Sequence, residues 1–79
     1  MYHVYILQSQ VNKSYYTGFT ENKDDRLNDH NWHTVKSTMS KAPYKLVWYC
    51  SFEDKYKALD FERYLKSGSG IAFRNKHLV

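Results

Sequence analysis

Two runs of alternating bulky residues near the start of the chain constrain its fold more than any other feature. Residues 2–8 and 14–19 each place aromatic or aliphatic side chains along an extended segment, which is typical of β-strands. The polar residues 9–13 between them predict a hairpin with a loop of about four residues. If the turn is centred between Gln10 and Val11, Tyr5 lies directly across from Tyr16 and their rings are in contact.

The later part of the chain predicts a third strand and two helices. We expect the strand over residues 44–52 and the first of these helices over residues 54–67. A capping box at residues 51–54 would begin this helix, and Gly68 would stop it. Ser69 is the predicted N-cap of a short last helix. The residues expected on one face of the third strand are Tyr44, Leu46, Trp48, Cys50 and Phe52.

Between the hairpin and the third strand, the sequence predicts a polar helix with its cations on one side. Lys23, Arg26 and His30 are spaced i, i+3 and i+7 and therefore share a helix face. Leu27 is the only large aliphatic residue of this helix, and we interpret it as a displayed surface that binds phosphate. The predicted order is then β-β-α-β-α-α. It is an α+β fold in which helices flank a three-stranded antiparallel sheet, in one domain over residues 1–79.

Glu62 falls within the apolar arc of the helix predicted over residues 54–67. The arc at 100° per residue contains Phe61, Leu65, Ala58 and Leu59. A carboxylate in such a position is costly unless it is paired or binds a metal. One interpretation is a buried or half-buried ion pair with an arginine. The other is a ligand for a hard divalent cation that keeps several waters.

Charge and cysteine content limit the partners and the compartment. The net charge of +4 favours an anionic partner, of which nucleic acid is the commonest. Cys50 is the only cysteine, so no intrachain disulfide forms and we expect a reducing, cytoplasmic location. We see no segment like a signal peptide and no apolar run near the ~20 residues that span a bilayer, so no membrane association is expected.

The order of these residues resembles the pattern of the GIY-YIG nuclease family over nearly the whole chain. The match consists of Val4-Tyr5, then Tyr16-Thr17-Gly18, then Arg26 ten residues after Tyr16, then His30, and Glu62 on a later helix. It is most similar to the small standalone bacterial members of that family. Two departures are visible: the first motif, His3-Val4-Tyr5, lacks its glycine, and the second has Thr17 where Ile or Val is common.

The resemblance implies a divalent-metal-dependent endonuclease that hydrolyses phosphodiester bonds. Tyr5 would be the general base or would orient the attacking water. Because a free phenol has a pKa of about 10, this role needs partners that favour the phenolate. Tyr16 and His30 are the implied partners, and His30 could itself relay the proton. Which group takes the proton stays open.

The remaining implied roles concern the phosphate and the metal. Arg26 would clamp the scissile phosphate through its planar guanidinium. Glu62 would bind one Mg²⁺ or Mn²⁺ ion, and Gly18 would form the structural turn of the second motif. The cations expected to contact the nucleic-acid backbone are Lys23, Lys36, Lys41, Arg74 and Lys76.

We expect DNA to be the substrate, in repair or processing. Little intrinsic sequence specificity is expected because the sequence shows no appended DNA-binding domain. One alternative is a nucleic-acid-binding module of the same fold whose cleavage is weak, partner-dependent or absent, and another is a nuclease that acts on RNA. A non-catalytic protein-binding domain is more distant, and a zinc site at His30, His33 and Cys50 would need a fourth ligand. A homodimer or a protein partner stays open.

Overall fold

Three antiparallel strands form one sheet in the order β2-β1-β3. The computed structural model describes residues 1–21 and 42–79. The strands are β1 (Tyr2–Ser9), β2 (Tyr15–Thr20) and β3 (Tyr44–Phe52). β1 lies between the other two, and its residues 4–7 are buried on both faces of the sheet. The predicted strands and the antiparallel sheet are therefore confirmed.

Two helices follow β3 directly. They are α1 (Lys55–Leu65) and α2 (Gly68–His77). The side chain of Asp54 caps α1 by accepting hydrogen bonds from the backbone N–H groups of Tyr56 (2.8 Å) and Lys57 (3.3 Å). The α+β class is confirmed, and the described elements run β-β-β-α-α. The predicted helix that carries Lys23 lies outside the described residues.

The predicted ends of the helices were partly wrong. Ser51 stays in β3, where its hydroxyl is 2.7 Å from Nδ1 of His3, so the capping box does not form. Gly68 is the first residue of α2 rather than a stop for α1. Ser67, not Ser69, caps α2 and accepts a hydrogen bond from the Gly70 N–H at 3.2 Å. A hydroxyl beside the turn therefore decided where the helix began.

The hairpin between β1 and β2 is shifted from the predicted register by two residues. Tyr5 pairs with Gly18 and Leu7 pairs with Tyr16, so the predicted opposition of Tyr5 and Tyr16 was wrong. The turn itself sets this register. The Ser9 hydroxyl accepts hydrogen bonds from the N–H groups of residues 11 and 12, and Lys13 adopts a left-handed φ of 64°. A two-residue shift keeps each side chain on its predicted face.

A bulge in β3 divides its apolar residues between the two faces of the sheet. Ile6 pairs with Trp48, whereas Leu7 pairs with Leu46, so Val47 is the extra residue. Tyr44 and Leu46, which precede the bulge, therefore share a face with Tyr5. The apolar residues that follow it share the opposite face with Ile6, and they are Trp48, Cys50 and Phe52. The prediction of a single apolar face from Tyr44 to Phe52 was wrong for this reason.

The two faces of the sheet carry separate apolar clusters. The helix-side cluster consists of Val4 and Ile6 with Ala58 and Leu65 from α1. The tyrosine cluster on the other face consists of Tyr5, Leu7 and Tyr44, with Tyr16, Ala42 and Leu46 packed against it. Within the described residues, no helix is long and apolar enough to cross a membrane.

Candidate active site

The ring of Tyr5 lies across Gly18 on the neighbouring strand. The two residues are paired in the sheet, and Tyr5 is 1% exposed. A Cβ at Gly18 would stand less than 3.0 Å from three atoms of the Tyr5 ring and hydroxyl. Gly18 is inside β2 and not at a turn, and no described glycine has a positive φ. The glycine is required because the phenol occupies the space of a side chain.

Tyr5 also contacts Tyr16, two residues along β2 from Gly18. Their ring centroids are 6.4 Å apart and their planes are inclined by 34°. Tyr16 is opposite Leu7, so the two phenols are diagonal neighbours on one face, a separation that aromatic side chains can bridge. The structure therefore brings together Tyr5, Tyr16 and Gly18.

Tyr44 is a third phenol in this cluster and was missed in the sequence. It is 5% exposed, and burial raises the pKa of its hydroxyl, with a smaller contribution from Tyr16. Tyr44 therefore stays neutral where Tyr5 and Tyr16 meet. The bulge at Val47 places Tyr44 on this face, and residue alternation alone gave no sign of it.

Glu62 of α1 forms an ion pair with Lys66, the C-cap residue of that helix. Its Oε2 is 3.1 Å from the Lys66 ammonium, one helical turn away. The Glu62 side chain is 20% exposed and that of Lys66 is 51% exposed. The predicted half-buried carboxylate is therefore present, and its partner is a lysine rather than an arginine.

Glu62 and the tyrosine cluster lie on different sides of the sheet. The buried residues of α1, Ala58 and Leu65, pack in the helix-side cluster, opposite the face that holds Tyr5 and Tyr16. The described residues form no hydrogen bond between Glu62 and either tyrosine. The structure therefore joins the two phenols, and it places the carboxylate apart from them.

A cleft at the edge of β2 lies between Tyr16 and Lys66. This β2-edge cleft has a volume of about 220 Å³. It is lined on one side by Tyr15, Tyr16 and Thr17, and on the other by Leu65, Lys66 and Arg74. Lys66 thus lines the same cleft as Tyr16 and also contacts Glu62, whereas Tyr5 and Glu62 do not line the cleft.

Arg74 is held against the aromatic edge of this cleft. Its guanidinium carbon is 4.8 Å from the centre of the Tyr15 ring, within cation–π distance. Its Nε donates a hydrogen bond to Oδ1 of Asn75 at 3.1 Å. Lys76 is exposed on α2 and does not line the cleft. Of the two backbone-binding cations predicted in α2, Arg74 is the one at the cleft.

The predicted cations of residues 22–41 lie outside the described part of the chain. They are Lys23, Arg26, His30, Lys36 and Lys41. His33, which the zinc alternative requires, also lies there. In residues 1–21 and 42–79, no three His, Cys, Asp or Glu side chains come together as a metal site.

Glu62 by itself has the chemistry that a hard divalent cation needs. Mg²⁺ is commonly bound through one or two carboxylates and keeps several waters. Oε2 of Glu62 contacts Lys66, while its Oε1 accepts no hydrogen bond from another described residue. One partly exposed carboxylate with a free oxygen fits such an ion, and the lysine is a competing cation at the same group.

Comparison with known proteins agrees with this arrangement. Residues 1–74 match the family model described as the GIY-YIG catalytic domain. The chain is 40% identical over 67 residues to UPF0213 protein CPE1444 of Clostridium perfringens (strain 13 / Type A), covering 84% of this chain and 71% of that protein. It is 38% identical over 68 residues to a UPF0213 protein of Limosilactobacillus reuteri (strain DSM 20016), covering 82% and 70%. No solved structure matches. The paired phenols, the glycine beneath Tyr5 and the match over residues 1–74 lead to one conclusion: this chain belongs to the GIY-YIG family.

Proposed function

We propose that this protein is a divalent-metal-dependent endonuclease that hydrolyses phosphodiester bonds in DNA with little intrinsic sequence specificity. The observation that carries the proposal is the contact of Tyr5 with both Gly18 and Tyr16 in a chain of the GIY-YIG family. Packing of a phenol across a glycine fixes the ring and its hydroxyl in one orientation. A catalytic group that orients water needs such a fixed position.

In the proposed mechanism, Tyr5 orients the attacking water and Tyr16 holds the Tyr5 ring from one side. Tyr44 remains a neutral phenol because burial raises the pKa of its hydroxyl, so it can donate a hydrogen bond within the cluster. Either Tyr5 or His30 accepts the proton that the attacking water loses. Arg26 clamps the scissile phosphate through two parallel N–H donors.

We assign metal binding to Glu62. A bound Mg²⁺ or Mn²⁺ would supply Lewis-acid polarisation of the phosphate and charge stabilisation on the leaving oxygen. Lys66, which contacts Glu62 at 3.1 Å, also lines the β2-edge cleft. The phosphodiester would lie across the β2 edge, between the tyrosine cluster and Glu62.

Nicking of supercoiled plasmid tests this proposal. We expect wild-type protein to nick the plasmid with Mg²⁺ or Mn²⁺ and not in EDTA. Tyr5→Phe should lower the rate by at least about 100-fold, the range of a lost acid–base group. Glu62→Gln should lower it by at least about as much, because the charge stabilisation that the metal supplies is lost with its ligand. Glu53→Gln, an equal charge change at an exposed residue that precedes α1, should leave the rate unchanged. Nicking that persists in Glu62→Gln would identify a contaminant and remove the catalytic assignment.

A second candidate function is favoured by the Glu62–Lys66 pair. The Lys66 ammonium contacts the Glu62 carboxylate that a metal would otherwise bind. This arrangement is expected of a nucleic-acid-binding module that does not use a metal. In that case, binding would persist in EDTA, and no nicking would be observed with either metal. Incubation with an RNA of matched sequence in place of the plasmid, followed by measurement of its cleavage, distinguishes a DNA substrate from an RNA substrate.

A further inference from the structure

The β2-edge cleft has an unbalanced charge. Lys66 and Arg74 line it, and none of the described residues that line it is acidic. Lys66 is partly neutralised by Glu62 on α1, whereas Arg74 forms no ion pair with a described carboxylate. Two cations at one concave surface raise the local concentration of anions.

Arg74 is oriented before any ligand binds. The Tyr15 ring lies under the guanidinium, and Asn75 accepts the hydrogen bond from Nε. The two terminal NH₂ groups form no hydrogen bond with another described residue. Because those two groups form the planar fork that binds a phosphate through paired hydrogen bonds, Arg74 is fixed in a geometry suited to that ligand.

The size of the cleft limits what it can hold. A volume of about 220 Å³ is below the ~300–1,000 Å³ that is typical of sites for whole small molecules. Such a cleft accommodates a phosphate and part of its sugar. Its aromatic side, formed by Tyr15 and Tyr16, offers apolar surface to the sugar or to a base.

We propose that the β2-edge cleft is a subsite for one backbone phosphate of the nucleic acid, flanking the phosphate that is cut. Arg74 binds that phosphate through the paired N–H groups of its guanidinium. The side chain of Lys66 lies between this phosphate and Glu62. This inference rests on the proposed function, and it adds a binding site outside the tyrosine cluster and independent of metal. Arg74 and Lys66 are positioning residues for the substrate.

Binding measured without metal tests the subsite. The probe is a fluorescently labelled 20-base-pair DNA duplex, titrated in EDTA and followed by fluorescence anisotropy at several salt concentrations. Arg74→Gln should weaken binding about tenfold or more, because a charge-assisted contact is lost. It should also reduce the slope of log K against log salt by about 0.9, which corresponds to one phosphate contact.

The chain offers a matched control for this charge change. Arg63 lies on α1, is 80% exposed and pairs with Asp60, away from the cleft. Arg63→Gln should leave the affinity within about twofold of wild type, as expected for a screened surface charge. Arg74→Lys, which keeps the charge and loses the fork, should fall between wild type and Arg74→Gln. Circular dichroism establishes that each variant is folded.

The remaining variants distinguish binding in the β2-edge cleft from non-specific electrostatic attraction between the protein and DNA. Lys66→Gln should weaken binding more than Lys57→Gln, a matched change at an exposed residue of α1. Tyr15→Leu should weaken it by about two- to fivefold through loss of the ring beneath Arg74, while Tyr15→Phe should not. Equal losses in Arg74→Gln and Arg63→Gln would overturn the subsite. If wild type never nicks DNA but Arg74 still controls binding in EDTA, the nuclease proposal fails and the subsite stands.

Discussion

The Tyr5 ring and hydroxyl occupy the space in which a side chain on Gly18 would stand. The clash involves the far end of a buried phenol, and Tyr5 cannot move aside without leaving Tyr16. Gly18→Ala should therefore destabilise the fold by about 1–3 kcal/mol, the usual cost of overpacking. Urea unfolding measures this cost. Gly68→Ala is the control, because nothing lies within 4 Å of its Cβ position. Equal stabilities of the two variants would contradict the packing of Tyr5 across Gly18.

Gly70 is constrained by backbone instead of by a side chain. A Cβ at Gly70 would stand less than 3.0 Å from the carbonyl group of Tyr64 and from Cα of Leu65. No rotamer change relieves contact with backbone, so Gly70→Ala must separate α2 from the end of α1. We expect a loss of stability at least as large as that of Gly18→Ala, about 2 kcal/mol or more. The measurement is the midpoint of urea unfolding, and a midpoint no lower than that of Gly68→Ala would show that this junction adapts.

The buried hydroxyl of Tyr44 should make the free energy of unfolding depend on pH in the alkaline range. Burial, and then Tyr16, raises the pKa of Tyr44 above its ordinary value of 10.0, so the folded protein holds this proton more tightly than the unfolded chain does. The resulting stability is fully present below about pH 10 and is lost as the pH rises through the folded-state pKa. The free energy of unfolding should therefore fall more steeply above about pH 10 in wild type than in Tyr44→Phe.

Unfolding in urea at a series of pH values measures this slope. Tyr56→Phe removes an exposed phenol from α1 and should leave the wild-type slope in place. If Tyr44→Phe and wild type lose stability in parallel above pH 10, Tyr44 does not hold its proton in the tyrosine cluster.

Cys50 should react slowly with alkylating reagents. Burial raises the pKa of its thiol, although a backbone hydrogen bond with Val4 acts in the opposite direction. Because the thiolate is the reactive form, we expect the folded protein to react with iodoacetamide several-fold more slowly than the same protein in denaturant at pH 8. Mass spectrometry follows the modification. A folded-state rate equal to that of a free thiol would contradict the burial of this side chain.

Lys66 should compete with divalent cations for Glu62. Replacing the ammonium in Lys66→Gln removes a cation from Oε2, so Mn²⁺ should bind more tightly. The pair is partly exposed, and the gain should therefore be small, up to about fivefold. Electron paramagnetic resonance of free Mn²⁺ measures the affinity without any reaction. Lys57→Gln is the control, and an affinity of Lys66→Gln no higher than that of wild type would place the metal elsewhere.

The sequence was sufficient for the local elements and for the residues of the two motifs. Alternation in residues 2–8 and 14–19 predicted the hairpin, and the polar residues between them predicted its loop. The sequence also indicated that Glu62 is a partly buried carboxylate in the apolar arc of its helix. These features depend on neighbours in the chain, which a sequence pattern contains directly.

Tertiary structure decided which side chains meet. Alternation has a period of two, so a register shifted by two residues has the same pattern, and only the turn at Ser9 and Lys13 places Gly18 beneath Tyr5. The bulge at Val47 belongs to the pairing of β1 with β3, and it brought Tyr44 to the tyrosine cluster. The β2-edge cleft likewise joins residues of a strand and two helices that are distant in sequence. Such contacts depend on packing, which local spacing does not encode.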